Sequence, residues 1–451
     1  MAGGRRSTAG PRRAARKVSV GAMSNSRTNA PFSHAIRRIA SRHRLTLEGC
    51  WLSPEAVPSG VPPWQERLFL PGPTPVPWSI AHAMARPMTS LGGPALRGLV
   101  ERVETGVARM FGTQRAVGLS GSGTATLEAA VQGAFAPGDP VLAVVAGAFG
   151  ARFARVAEAH GLTVHRLEVA YGEVPTAEAV AARVARTGAV GLLLTHNETS
   201  TGLLMPIADW IAAARKVAPD VVTVVDAISS VPSVPLDMDA IGVDIATAAS
   251  QKGFMAPPGL GLVGVGPRGL AALKAERAGR MYFDLTAYIE RHHNATPAVA
   301  HWFAMDESLR LLDAEGDAAR HERHVRMGVM VRAAGRAMGC PPLAREDMAS
   351  PTVTVLGLPD GVDARAVLAH AAERYGATLA GAMGPWAHSA VRIGHVGAYT
   401  PLDMVTAVAA LEAAVHDLCA KAGKAPPMPA GHGVAAALEA MREPVAAHTT
   451  V

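Results

Sequence analysis

From Leu68 onward, short runs of uninterrupted apolar residues alternate with longer stretches whose apolar residues recur every three to four positions. The short runs predict strands at Ala116–Leu119, Pro140–Val145, Thr163–Leu167, Val190–Thr195, Val221–Val225, Ile245–Ala248 and Gly261–Val265. The longer stretches predict helices near Leu96–Phe111 and at 123–136, 150–160, 176–187, 207–217 and 267–274. Strands that are apolar at nearly every position must be covered on both faces. The pattern therefore implies an α/β fold with a mainly parallel sheet sandwiched by helices.

The rhythm changes near Ala298, where a broken helical region runs to Met338. PTVTVLGLP (351–359), a helix at 363–375, AVRIGHVG (390–397) and a helix at 401–421 then suggest a small α+β unit. These shifts divide the chain into an arm at 1–62, expected to be disordered, a large domain at 63–310 and a small domain at 311–425. A tail at 426–451 carries one more short helix.

The chain has 451 residues and a net charge of +6, with 49% hydrophobic and only 4% aromatic residues. Eleven bases and one acid, Glu48, give residues 1–50 a charge of +10, so the remainder carries −4. The basicity thus belongs to the arm, and arginines without interleaved aromatics offer nucleic acid only sequence-blind attraction. A primary nucleic-acid function is disfavoured. Cys50, Cys340 and Cys419 form no disulfide or zinc pattern, and no run of 18 uncharged apolar residues exists. A cytoplasmic protein without a membrane span is expected.

Four places carry candidate chemistry. In SQKGFMAPPG (250–259), Lys252 follows one apolar strand and precedes another, where a buried ammonium is tolerated if it is committed covalently to an aldehyde. A lysine on a solvated loop is the alternative. In VVTVVDAISS (221–230), Asp226 ends an apolar run at the strand edge where open α/β sheets bind ligands, or else caps the following turn. SGSGT (120–124) places hydroxyls and bare N–H groups at a helix start, a recipe for phosphate that many helix starts share. Arg392, alone in an apolar strand, suits either a substrate carboxylate or a structural ion pair.

PGPTPVP (71–77), SGSGT (120–124), THNETSTG (195–202), VDAISS (225–230), SQKGFMAPPG (250–259) and VRIGHVG (391–397) occur in this order. Together they resemble the class V aminotransferases of fold type I, pyridoxal 5'-phosphate (PLP) enzymes typified by alanine–glyoxylate and serine–pyruvate aminotransferases. The likeness covers about residues 66–420. It implies that Lys252 forms the Schiff base with PLP and moves the substrate proton, and that Asp226 pairs with the pyridine nitrogen. It assigns the cofactor phosphate to Ser122, Gly123 and Thr124, assisted by Gln251. Phe149 would stack on the ring, Thr199 would bond its hydroxyl, and Arg392 would clamp the substrate α-carboxylate.

The same resemblance implies ping-pong transfer between a small amino acid, alanine or serine, and a small oxo acid, glyoxylate or pyruvate. It also implies a homodimer or tetramer. The stretch RHHNATPAV (291–299) departs from the family's Tyr-containing segment, so no contacts across subunits are assigned there. Desulfurase activity is disfavoured for want of a cysteine in HSAVRIG (388–394). The C-terminal part also resembles pyridoxamine–pyruvate aminotransferase, which keeps that activity as an alternative, beside a PLP lyase or retro-aldol reaction.

Overall fold

The computed structural model describes residues 66–444, except 276–279 and 293. The basic arm and Cys50 lie outside the described residues. The strands are, in chain order, β1 (Arg67–Phe69), β2 (Ala116–Ser120), β3 (Pro140–Val145), β4 (Thr163–Glu168), β5 (Gly191–Thr195), β6 (Asn197–Glu198), β7 (Leu203–Leu204), β8 (Val222–Asp226), β9 (Ile245–Ala249), β10 (Leu260–Val265), β11 (Val353–Gly357), β12 (Ala377–Gly381) and β13 (Ala390–Gly394).

Seven of them form one sheet in the order β2-β10-β9-β8-β5-β3-β4. All run parallel except β10, which is antiparallel to both neighbours. The strands expected from the apolar runs appear within about one residue at each end. Period two explains why their patterning was continuous: Leu142 and Val144 enter the core on one face, while Val141, Ala143 and Val145 enter the core on the other. Only the edge strand β4 is mostly half-buried or exposed, and it is correspondingly polar.

Helices predicted from periodicity are found at Pro94–Phe111, Gly123–Ala134, Ala148–Ala159, Ala177–Thr187, Ile207–Val217 and Pro267–Lys274. The long helical region is two helices, Val299–Glu315 and Asp317–Ala337, hinged at Gly316. Three parallel strands therefore deliver their last residues, Thr195, Asp226 and Ala249, to one edge of the sheet. Ser120 reaches the same edge from β2.

A second sheet has the order β1-β12-β13-β11. Its strand β12 was not expected, because ATLAG has no β-branched or aromatic apolar residue and only one large one, Leu379. Val391 and Ile393 of β13 point into the helix-covered core, so the alternation of the strand places Arg392 on the opposite face. Among the described residues, no helix is long and apolar enough to cross a membrane.

Candidate active site

Lys252 lies in a turn three residues beyond β9. The turn is tied down by its own polar groups: the Ser250 hydroxyl donates to the Pro257 carbonyl (2.7 Å) and accepts from the Leu260 N–H (3.3 Å). The Lys252 ammonium donates to the Pro71 carbonyl at 2.6 Å. A β-carbon on Gly72 would lie 2.5 Å from Nζ, and Gly72 has φ +127°, so glycine is required there twice over. Thr74 continues the attachment, its N–H donating to the Gln251 carbonyl (3.2 Å) and its hydroxyl to the Lys252 carbonyl (3.3 Å). The proline-stiffened PGPT segment thus forms a wall against the lysine.

Asp226 ends β8 and is 5% exposed. Burial pushes its carboxyl up to about 6; Glu198 adds to the rise, while the Ile228 N–H (3.0 Å), Lys252 and Arg152 oppose it. A carboxylate in this position is held ionised most effectively by a further cation brought to it.

Ser122 is the N-cap of the helix Gly123–Ala134, yet its hydroxyl makes no capping bond, and Thr124 follows in the first turn. Gly121 N–H donates to the Gly259 carbonyl (3.0 Å), anchoring the loop to the strand after the lysine turn. The loop packs closely on the Asp226 turn: a β-carbon on Gly123 would lie 2.6 Å from Ile228. Beside Lys252, the side-chain oxygen Oε1 of Gln251 is buried without a hydrogen-bond partner.

Phe149 stands in the first turn of Ala148–Ala159, directly after β3, with the Arg152 guanidinium 4.9 Å from its ring centroid. The Thr199 hydroxyl is 2.6 Å from the Ser229 hydroxyl, and its carbonyl accepts from Arg392 Nη1 at 3.2 Å. Arg392 is 5% exposed and also donates Nε to the Gly381 carbonyl at 2.8 Å. Two carbonyls, one from each sheet region, therefore set the plane of the guanidinium.

Residues that the sequence reading did not single out complete the surroundings. Ser229 links Thr199 to Asn197, and Asn197 accepts from the Ser350 hydroxyl at 2.6 Å. Tyr171 packs edge-on against Trp386 (5.3 Å between centroids), and burial raises its phenol. Glu198 binds the backbone at Phe149. Glu198 and Asn197 lie inside the motif THNETSTG, which was their visible signal; Tyr171 had none.

In the departing stretch, His292 caps the helix Leu285–Arg291 and sits 2.9 Å from Glu104 of the same chain. Burial raises Glu104 to about 7, opposed by His292. Cys340 and Cys419 are buried in the core of the second sheet, and burial pushes the Cys340 thiol up to about 12, which removes it as a nucleophile. No cluster of metal-ligating side chains is found among the described residues.

The residues present fit PLP. An open helix N-terminus with the Ser122 hydroxyl suits a phosphate, and a buried Asp226 suits a ring cation.

The family model for class V aminotransferases matches residues 82–332. The L-aspartate–glyoxylate aminotransferase of Paracoccus denitrificans is 34% identical over 393 residues, covering 85% of this chain and 98% of that protein. The solved ureidoglycine–glyoxylate aminotransferase from Bacillus subtilis is similar with a TM-score of 0.78 and 26% identity, covering 84% of this chain and 98% of that one. The pyridoxamine–pyruvate aminotransferase from Mesorhizobium loti is similar with a TM-score of 0.77 and 28% identity, covering 86% and 98%. With nearly all of the described body spanned at this likeness, the chain belongs to the class V aminotransferases: it is a PLP-dependent aminotransferase of fold type I.

Proposed function

We propose that this chain transfers the amino group of a small α-amino acid, alanine or serine, to a small oxo acid, with glyoxylate the favoured acceptor. The observation that carries this reading is Arg392, buried on β13 with its guanidinium held by the Gly381 and Thr199 carbonyls. One planar cation reads one carboxylate, the group shared by α-amino and α-oxo acids. Two of the relatives named above are glyoxylate aminotransferases, which favours glyoxylate as the acceptor.

PLP, when bound, supplies an aldehyde carbon reactive toward amines and a ring that withdraws electrons from the substrate Cα. Ser122, Gly123, Thr124 and Gln251 would hold its phosphate, Phe149 would stack on its ring, and Thr199 would bond its hydroxyl. Asp226 would pair with the ring nitrogen and favour its protonated form. Lys252, kept in place by the Pro71 carbonyl, would take the proton from the substrate Cα and deliver it to the carbon that PLP supplies as the aldehyde. Arg392 fixes the carboxylate, which sets the Cα–H bond in the orientation that Lys252 meets.

The test is a half-reaction screen of the purified protein loaded with PLP: loss of its visible band against a panel of amino acids, then its return with glyoxylate or pyruvate. Rapid response to alanine or serine, restored by glyoxylate, supports the proposal. Turnover without any oxo acid overturns it in favour of a lyase. Response to free pyridoxamine in place of amino acids overturns it in favour of the activity named for the Mesorhizobium loti neighbour. The open helix start at Ser122 argues against that last outcome, because it suits a phosphate-bearing cofactor.

A further inference from the structure

One buried carboxylate in this region takes no part in the chemistry just described. Glu198, 1% exposed, lies in the short hairpin β6–β7, on the loop that follows β5. Its Oε1 accepts from the Ser200 hydroxyl at 2.6 Å and from the Ser200 N–H at 3.1 Å. Both oxygens lie 3.2 Å from the Phe149 N–H, and Oε2 accepts from the Gly150 N–H at 2.9 Å. Every one of these donors is uncharged, so the carboxylate is balanced by backbone dipoles at the start of Ala148–Ala159.

That helix start depends on the arrangement. Its N-cap, Gly147, has no side chain to offer, and the Ser200 hydroxyl accepts from the Ala148 N–H at 2.9 Å. Glu198 and Ser200 therefore cap a helix remote in sequence. Gly147 permits the approach, because a β-carbon there would lie 2.5 Å from both the Glu198 carboxyl carbon and the Ser200 hydroxyl.

The position matters because of what adjoins it. Phe149, whose N–H the carboxylate holds, is the proposed ring-stacking residue. Thr199 follows Glu198 in the chain, and its carbonyl aims Arg392. Asp226 lies within electrostatic reach of Glu198. A single side chain thus ties the residue over the cofactor ring to the residue that aims the substrate clamp.

We propose that Glu198 is a positioning residue that locks Phe149, Thr199 and Arg392 into one frame, so that ring stacking and carboxylate recognition are set together. The inference rests on the PLP and Arg392 assignments above. Replacing the carboxylate with an isosteric amide puts N–H groups among N–H donors, leaving at least one buried bond unmade.

The experiment uses the full chain, titrated with PLP and followed by the induced circular dichroism of the bound cofactor, with KM and kcat for the oxo acid measured separately. Glu198→Gln is expected to weaken PLP affinity about tenfold, the size of one lost charge-assisted hydrogen bond, to reduce the dichroism per bound cofactor, and to raise KM. Ser200→Ala, a milder change to the same cap, is expected to move all three in the same direction by about threefold. A capping role confined to stability would lower the melting temperature and leave affinity, dichroism and KM unchanged; that result in folded Glu198→Gln overturns the proposal. Should Glu198→Gln fail to fold, unchanged values in Ser200→Ala overturn it equally. A wild-type chain that takes up no PLP instead overturns the cofactor reading itself.

Discussion

Two buried aspartates sit at opposite ends of the same sheet, and they are treated differently. Asp244 precedes β9, 2% exposed, and accepts from Arg215 (3.0 Å), from the Thr223 N–H (2.8 Å) and from the Thr223 hydroxyl (3.1 Å), with Arg268 3.3 Å away. Asp226 ends β8, 5% exposed, and the bond to its side chain is one from the Ile228 N–H. Its carboxyl is pushed up to about 6. Both lie beside parallel strands and both are buried, so depth does not separate them. The first is neutralised by its own fold; the second, on the function proposed above, is completed by the cation of the cofactor ring. On that reading, the difference separates a carboxylate serving stability from one serving a ligand.

The comparison breaks most severely at the lysine that shares the edge with Asp226. Lys252→Ala is expected to slow the half-reaction by at least about 10³-fold, since both the amine for PLP and the proton carrier are lost. Stopped-flow loss of the cofactor band measures it. At the other end, Asp244→Ala is expected to destabilise the protein by about 3–5 kcal/mol, because Arg215 loses its buried counter-charge. Urea unfolding measures that cost, and the folded fraction should keep its catalytic constants.

Arg392→Gln is expected to raise KM for the oxo acid about 10²-fold, corresponding to about 2–3 kcal/mol for a charged bond to carboxylate. Steady-state kinetics at varied oxo acid give the figure, and an unchanged KM removes Arg392 from substrate recognition.

The smallest effect has the most telling sign. A carboxyl raised from 3.8 to about 6 favours the fold of the cofactor-free protein at low pH and loses that advantage as pH rises through about 6. Asp226→Asn should therefore stabilise the cofactor-free protein at pH 8 by on the order of 2 kcal/mol while weakening PLP binding. At pH 4 the stability difference should vanish. Equal stability of the two proteins at pH 8 would mean that Asp226 is already fully compensated, as Asp244 is.

Much of this was legible before any coordinates. The strands of the large sheet announced themselves, all but the edge strand β4 because both faces are buried, and Lys252, Asp226 and Arg392 stood out as charges where apolar neighbours make charge costly. The strand β12 was not legible, since Ala, Thr and Gly carry no strong periodic signal. The small-sheet membership of β1 was hidden for another reason: Arg67–Phe69 pairs with Ala377–Leu379, about three hundred positions along the chain. Glu198 lay in view within THNETSTG, but a carboxylate among small polar residues says nothing of its donors until helix Ala148–Ala159 is seen to start beside it.

The sequence by itself determined the class of the fold, the ends of its strands and the residue types at the sheet edge, because those follow from local periodicity and from the cost of burying charge. Only the tertiary structure decided which carboxylate is met by arginines and which by a backbone N–H, what restrains the lysine, and which backbone carbonyls hold the arginine. Those are matters of hydrogen-bond partners brought from remote segments, and a partner has no position until the chain has folded.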